Sequence, residues 1–151
     1  MVHRIDIVLV DDNPTERLLF EDAMLASKQY VKDVQLSNGG PDLLLRLRGD
    51  HPDGNSPATA RPDLIILDLN MPGMNGFEVL ELLAADKEFC KMPVVVLSGS
   101  NDAEDIKRCY KLGASGFVVK PETHDELIAM FKRLTRYWAA FVKVNTKHAY
   151  I

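Results

Sequence analysis

Leu64–Ile65–Ile66–Leu67 is an uninterrupted apolar run, half of it β-branched, set between Pro62–Asp63 and Asp68. A run this short, with no polar alternation, reads as a strand buried on both faces. Such a strand needs cover on both sides, and the usual cover is helices flanking a parallel sheet. The run ends abruptly in the carboxylate of Asp68. Leu69–Asn70–Met71–Pro72–Gly73 follows as a loop, and then a helix-like segment. An acid leaving a buried parallel strand lies where open α/β sheets place their chemistry, outside the carboxyl ends of the strands.

The rest of the chain repeats the alternation. Ile5–Val10 reads as a first strand. It ends in Asp11–Asp12–Asn13, before Pro14, which opens a helix running to about Ser27. Val34–Ser37 is a short second strand. Pro41 opens a second helix, Leu43 to about Arg48. Gly49–Arg61 is polar, rich in Pro, Gly, Asp and Asn, and longer than the usual connection. After the central strand come a helix over 76–85, a strand over 93–97 and a helix over 103–112. A strand over 116–119 and a last helix from about Glu122 to about Val142 complete the chain. Thr123 and Glu126 form a capping-box pattern at the start of that helix. Leu127, Phe131, Leu134, Trp138 and Phe141 recur on one of its faces.

Five strand–helix alternations imply a doubly wound parallel sheet. The five-stranded version of that fold, flavodoxin-like, has strand order 2-1-3-4-5 with its switch point between strands one and three. The exits of those two strands are then neighbours. Asp11 and Asp12 leave one, Asp68 leaves the other, and strands four and five deliver Ser98 and Lys120 to the same crevice.

Composition excludes several classes. The 18 Lys and Arg against 22 Asp and Glu give a net charge of −4, the wrong sign for a nucleic-acid grip. No apolar run approaches the roughly 20 residues of a membrane span. The start shows no signal-peptide cleavage pattern. Cys90 and Cys109 lie in separate elements without metal spacing, as free thiols of a reducing cytoplasm do. The scattered His3, His51, His124 and His148 form no zinc pair.

Three clustered carboxylates repel each other, so either a proton or a cation must neutralise them. Mg2+ suits the set, because it takes hard oxygen ligands and keeps water and phosphate in its shell. A lysine and a hydroxyl across the crevice suit a phosphoryl oxygen. A carboxylate between metal and lysine can attack phosphorus and become an aspartyl phosphate.

These residues resemble the receiver domain of two-component response regulators over about Ile5–Arg136. The resemblance rests on Asp11–Asp12, the Asp68–x–Asn70–Met71–Pro72–Gly73 loop, Ser98, and Phe117–x–x–Lys120–Pro121. It implies that Asp68 is the phosphoacceptor and that Asp12 ligates Mg2+ directly, with Asp11 ligating through water. It implies a further ligand in the backbone carbonyl of Asn70, alongside Asp68. Ser98 takes the switch hydroxyl position, Phe117 the switch aromatic position and Lys120 the invariant lysine position. The departures are peripheral: the Gly49–Arg61 loop and the tail after Arg136. That loop, Leu97–Ser98–Gly99–Ser100 and Trp138 are similar to single-domain regulators that partner phytochrome-type histidine kinases.

The expected function is therefore a single receiver over residues 1–151, with a core at about 5–136 and an extension at 137–151, and no output domain. It takes a phosphoryl group from a histidine kinase or phosphotransfer protein and switches a binding surface. It catalyses only its own phosphorylation and dephosphorylation. The end of the last helix overhangs the sheet with apolar residues that either the tail Lys143–Ile151 or a second subunit must cover, and a homodimer through the fourth helix, fifth strand and last helix is the expected arrangement. No nucleic acid or membrane partner is expected. Plainer roles exist for each residue: Asp11 and Asp12 as helix N-caps, Ser98 as a turn residue, Lys120 as a solvated strand end, Phe117 as core. A haloacid-dehalogenase-like phosphohydrolase would use the same groups, but it carries a second acid where Asn70 stands. A phosphorylation-independent adaptor would not need the acid pocket.

Overall fold

The computed structural model describes residues 3–50, 52 and 61–142. Most of the Gly49–Arg61 loop and the tail from Lys143 onward, together with His51 and His148, lie outside the described residues. Five strands and five helices alternate: β1 (Ile5–Val10), α1 (Pro14–Leu25), β2 (Val31–Ser37), α2 (Gly40–Arg48), β3 (Leu64–Asp68), α3 (Gly76–Ala85), β4 (Val94–Ser98), α4 (Ala103–Lys111), β5 (Gly116–Val119) and α5 (His124–Ala140). The sheet order is β2-β1-β3-β4-β5, with every neighbour parallel. This is the order read from the alternation.

The register levels the strand exits. Val10 lies beside Leu67, Asp68 beside Leu97, and Ser98 beside Val119. At the opposite end, the amide of Asp6 donates to Asp63 Oδ2 and the amide of Asp63 to Asp6 O, both at 2.8 Å.

Side chains alternate across the sheet. Ile5, Ile7, Leu9, Leu64, Ile66, Val95 and Leu97 face α1 and α5, where Phe20 meets Phe131 edge-on at 4.9 Å. Val8, Val10, Ile65, Leu67, Val94 and Val96 face α2, α3 and α4. β1, β3 and β4 are buried throughout, so an uninterrupted apolar run was their proper signature.

Several boundaries differ from the sequence reading. β2 starts at Val31 rather than Val34. The exposed Lys32 and Asp33 disguise it, but an edge strand pairs through its backbone whatever its outward side chains. α1 stops at Leu25, and Ser27 folds back so that its hydroxyl donates to Ala23 O at 2.9 Å. α5 stops at Ala140, with Phe141 as its C-cap residue.

The apolar stripe on α5 also differs in detail. Its fully covered positions include Thr135 and Ala139 beside Leu127 and Phe131, while Trp138 is half-buried against the α1-side core. Trp138 therefore finds cover within the chain and is not part of an open overhang. Phe141 remains 72% exposed.

Candidate functional site

The crevice is set by where strands stop. β1 gives way to Asp11, fully buried, and Asp12, exposed. β3 ends on Asp68, which is 4% exposed. Asp11, Asp12 and Asp68 each offer an oxygen, and these atoms all lie within 4.8 Å of one another. Lys120 follows β5 and places Nζ 2.9 Å from Asp68 Oδ1. Its backbone amide donates to Ser98 O at 2.8 Å, which ties the lysine to the end of β4.

Ser98 is fully buried. Its Oγ accepts from the Ser100 amide at 3.1 Å and from Asn70 Nδ2 at 3.5 Å. The turn role and the site role thus coexist, because accepting these bonds leaves the hydroxyl proton free to donate. Asn70 is exposed beside the crevice. Phe117 is half-buried, packed against the core on the α2–α3–α4 side. Asp11, Asp12, Asp68, Asn70, Ser98 and Lys120 thus meet at this end of the sheet, while Phe117 lies further back along β5, beside Val96.

The loop after Asp68 is held by two glycines. Gly73 follows Pro72 with φ +74°, a conformation few L residues tolerate. Gly76 donates to Leu69 O at 2.9 Å, and a Cβ there would stand 2.7 Å from Leu69 Cα and 3.0 Å from Asp68 O. The start of α3 is thereby pressed against the Asp68 exit.

The helix-cap role weighed for Asp11 and Asp12 falls to Asn13. Its side chain accepts from the amides of Thr15 and Glu16. Asp11 Oδ1 accepts from the Asn13 amide at 2.9 Å, while Oδ2 is buried with no hydrogen-bond partner. A buried carboxylate oxygen without a donor costs free energy unless a proton or cation reaches it. The residues present therefore fit a hard divalent cation: clustered oxygens, one of them in want of a partner.

Glu16 was not singled out in the sequence. Asn13-x-x-Glu16 has the spacing of a capping box, in which the glutamate returns to the cap amide. Here Asp11 occupies that amide, and Glu16 Oε2 instead takes Lys120 Nζ at 3.0 Å. Nothing in a single sequence tells these two roles apart.

The charges are strongly perturbed. Burial pushes the Asp11 carboxyl up to about 8, and the neighbouring Glu16 carboxylate adds to the rise. Burial also raises Asp68, against the pull of Lys120. Burial alone would raise Glu16, but its bonds to Asp11 and Lys120 outweigh that and lower it. Lys120 is pulled down by burial, but the carboxylates of Asp68 and Glu16 outweigh this and hold it above its ordinary range.

The model of the response regulator receiver domain matches residues 7–132, and the chain belongs to that family. Among curated relatives, the two-component response regulator ORR4 of Oryza sativa subsp. indica is 34% identical over 126 residues, 78% of this chain and 54% of the rice protein. The chain thus spans about half the length of that relative. Response regulator Rcp1 of Synechocystis sp. is 29% identical over 133 residues, 87% of each chain. Among solved structures, the phosphorylated cyanobacterial phytochrome response regulator RcpA superposes with TM-score 0.82 at 31% identity, covering 95% of this chain and 99% of that one. The Mn2+-bound form of Rcp1 shares the fold, with TM-score 0.81 at 24% identity over 94% and 99%. Receiver domains bind Mg2+ or Mn2+ at an acidic pocket, and they partner with histidine kinases or phosphotransfer proteins. The phosphohydrolase alternative gains no support from this match. No helix among the described residues is long and apolar enough to cross a membrane.

Proposed function

We propose that this chain is a phosphorylation-controlled signalling switch whose acceptor is Asp68. The carrying observation is the carboxylate of Asp68, held 2.9 Å from Lys120 Nζ and within 4.8 Å of the acids of β1. A carboxylate oxygen of Asp68 attacks phosphorus and a P–O bond forms. The P–N bond to the donor histidine breaks, and its electron pair leaves with the imidazole. Asp11, Asp12, Asp68 and the backbone carbonyl of Asn70 would hold Mg2+, which when bound neutralises phosphoryl oxygens and aligns the transfer. Lys120 pairs with a phosphoryl oxygen, and the Ser98 hydroxyl donates to another. Phe117 then turns inward as Ser98 moves, because a packed interior tolerates few voids.

The likeness to RcpA and Rcp1, covered over most of their length, supports a response regulator of a phytochrome-type histidine kinase. It also supports a readout through the receiver's own surface. Tyr110 of α4, Val119 of β5, and Tyr137 and Phe141 at the end of α5 are exposed on the three elements expected to form a homodimer.

Incubation with Mg2+ and acetyl phosphate, followed by intact mass, tests the acceptor. Wild type should gain one phosphoryl mass and Asp68→Asn none, while Ser98→Ala should still take the label. Labelling of Asp68→Asn at the wild-type level would sink the assignment.

A further inference from the structure

Glu16 joins the crevice from a third direction. It sits in the first turn of α1, whose amides are already capped by Asn13, and its return partner in a capping box is taken by Asp11. Its carboxylate takes Lys120 Nζ at 3.0 Å, with both side chains largely covered. Lys120 lies 2.9 Å from Asp68, so the two contacts through one nitrogen bring Glu16 Oε2 within about 6 Å of Asp68 Oδ1. Glu16 therefore adds a fourth acid to the pocket of Asp11, Asp12 and Asp68, and it holds the lysine that faces the acceptor.

We propose that Glu16 is a positioning residue that sets two opposed quantities: it strengthens the hold on the divalent cation and weakens the capture of the phosphoryl group. The first effect follows from charge. A further carboxylate beside three others deepens the potential a cation meets. The second follows from the shared ammonium. Lys120 bonded to Glu16 is partly neutralised before any phosphoryl oxygen arrives, and the Glu16 charge repels an anionic donor. In the transfer from acetyl phosphate, the Asp68 oxygen forms the new P–O bond and acetate leaves with the electron pair of the broken one. Negative charge on the donor must come close to Glu16 for this to happen. The proposal rests on Asp68 being the acceptor.

The test pairs Mn2+ affinity by titration calorimetry with the rate of phosphorylation by acetyl phosphate at saturating Mg2+. Glu16→Gln keeps length and an acceptor oxygen while removing the charge. It should bind Mn2+ roughly three- to tenfold more weakly, yet take the label roughly three- to tenfold faster. Glu16→Asp keeps the charge and should restore Mn2+ affinity. A residue with a merely structural role would lower both quantities together. That result, or Glu16→Gln matching wild type in both within error, overturns the proposal. Wild type that takes no label at all sinks the acceptor reading and the capture half with it. An unchanged Mn2+ affinity of Glu16→Gln then sinks the other half.

Discussion

Asp11 keeps one oxygen on the Asn13 amide and leaves the other buried without a partner, so its charge has little to sustain it. With its carboxyl pushed from 3.8 up to about 8, the folded chain holds a proton there that the unfolded chain has lost. The sign follows from linkage: stability is favoured below the unfolded value and declines as pH rises toward the folded one. Cation-free protein should thus lose stability between about pH 4 and pH 8 on account of this group. A cation must expel the same proton, so Mg2+ affinity should climb with pH over the upper part of that window and flatten above it. Calorimetry in buffers of differing ionisation heat reads the released proton directly, and binding without release near neutral pH would contradict the raised carboxyl. At this scale the sequence showed the acids, the hydroxyl and the lysine because each sits at the end of an apolar run. Glu16 stayed hidden because its capping-box spacing already offered it an ordinary occupation.

α3 meets the end of β3 so closely that only hydrogen fits at Gly76. Gly76→Ala would push backbone against backbone, with no flexible side chain to yield, and should cost about 1–3 kcal/mol. Because the nearest atoms belong to Asp68 and Leu69, labelling should slow as well. Chemical denaturation and the acetyl phosphate assay together check this, and an unchanged midpoint would show that α3 slides freely. The central strands were legible as uninterrupted apolar runs, since β1, β3 and β4 are buried on both faces. β2 was read three residues short, because Lys32 and Asp33 face solvent, although Val31 and Asp33 pair with β1 on either side of an irregularity at Lys32. The inner stripe of α5 was misjudged where it uses Thr135 and Ala139. Small residues carry little weight in a pattern of large apolar ones, yet here they let α5 lie close to Met24 of α1, with Thr135 Oγ1 3.6 Å from its sulfur.

At the scale of the molecule, the two aromatic residues near the end of α5 have different tasks. Trp138 packs against the α1-side core, so Trp138→Ala should lower stability by roughly 2–3 kcal/mol, below the range for a fully buried Trp. Phe141 is exposed, so Phe141→Ser should change stability by less than about 0.5 kcal/mol. It should, however, weaken the proposed homodimer, seen by sedimentation with Mg2+ and beryllofluoride. A dimer untouched by Phe141→Ser, or a monomer in both states, would remove this surface from the interface. The sheet order was readable because alternation admits few topologies; the use of the surface was not, since exposure depends on what else the fold covers. The pairing of β1 with β3 carries a separate consequence. Asp6 and Asp63 bond across 57 residues of chain, with all of β2 and α2 between them. The acids of β1 cannot stand beside Asp68 until that long loop has closed and the central strand has inserted, which parallel sheets do slowly. A nascent or partly unfolded chain therefore has no such pocket, and under the proposed function only molecules that have finished folding would take the phosphoryl group.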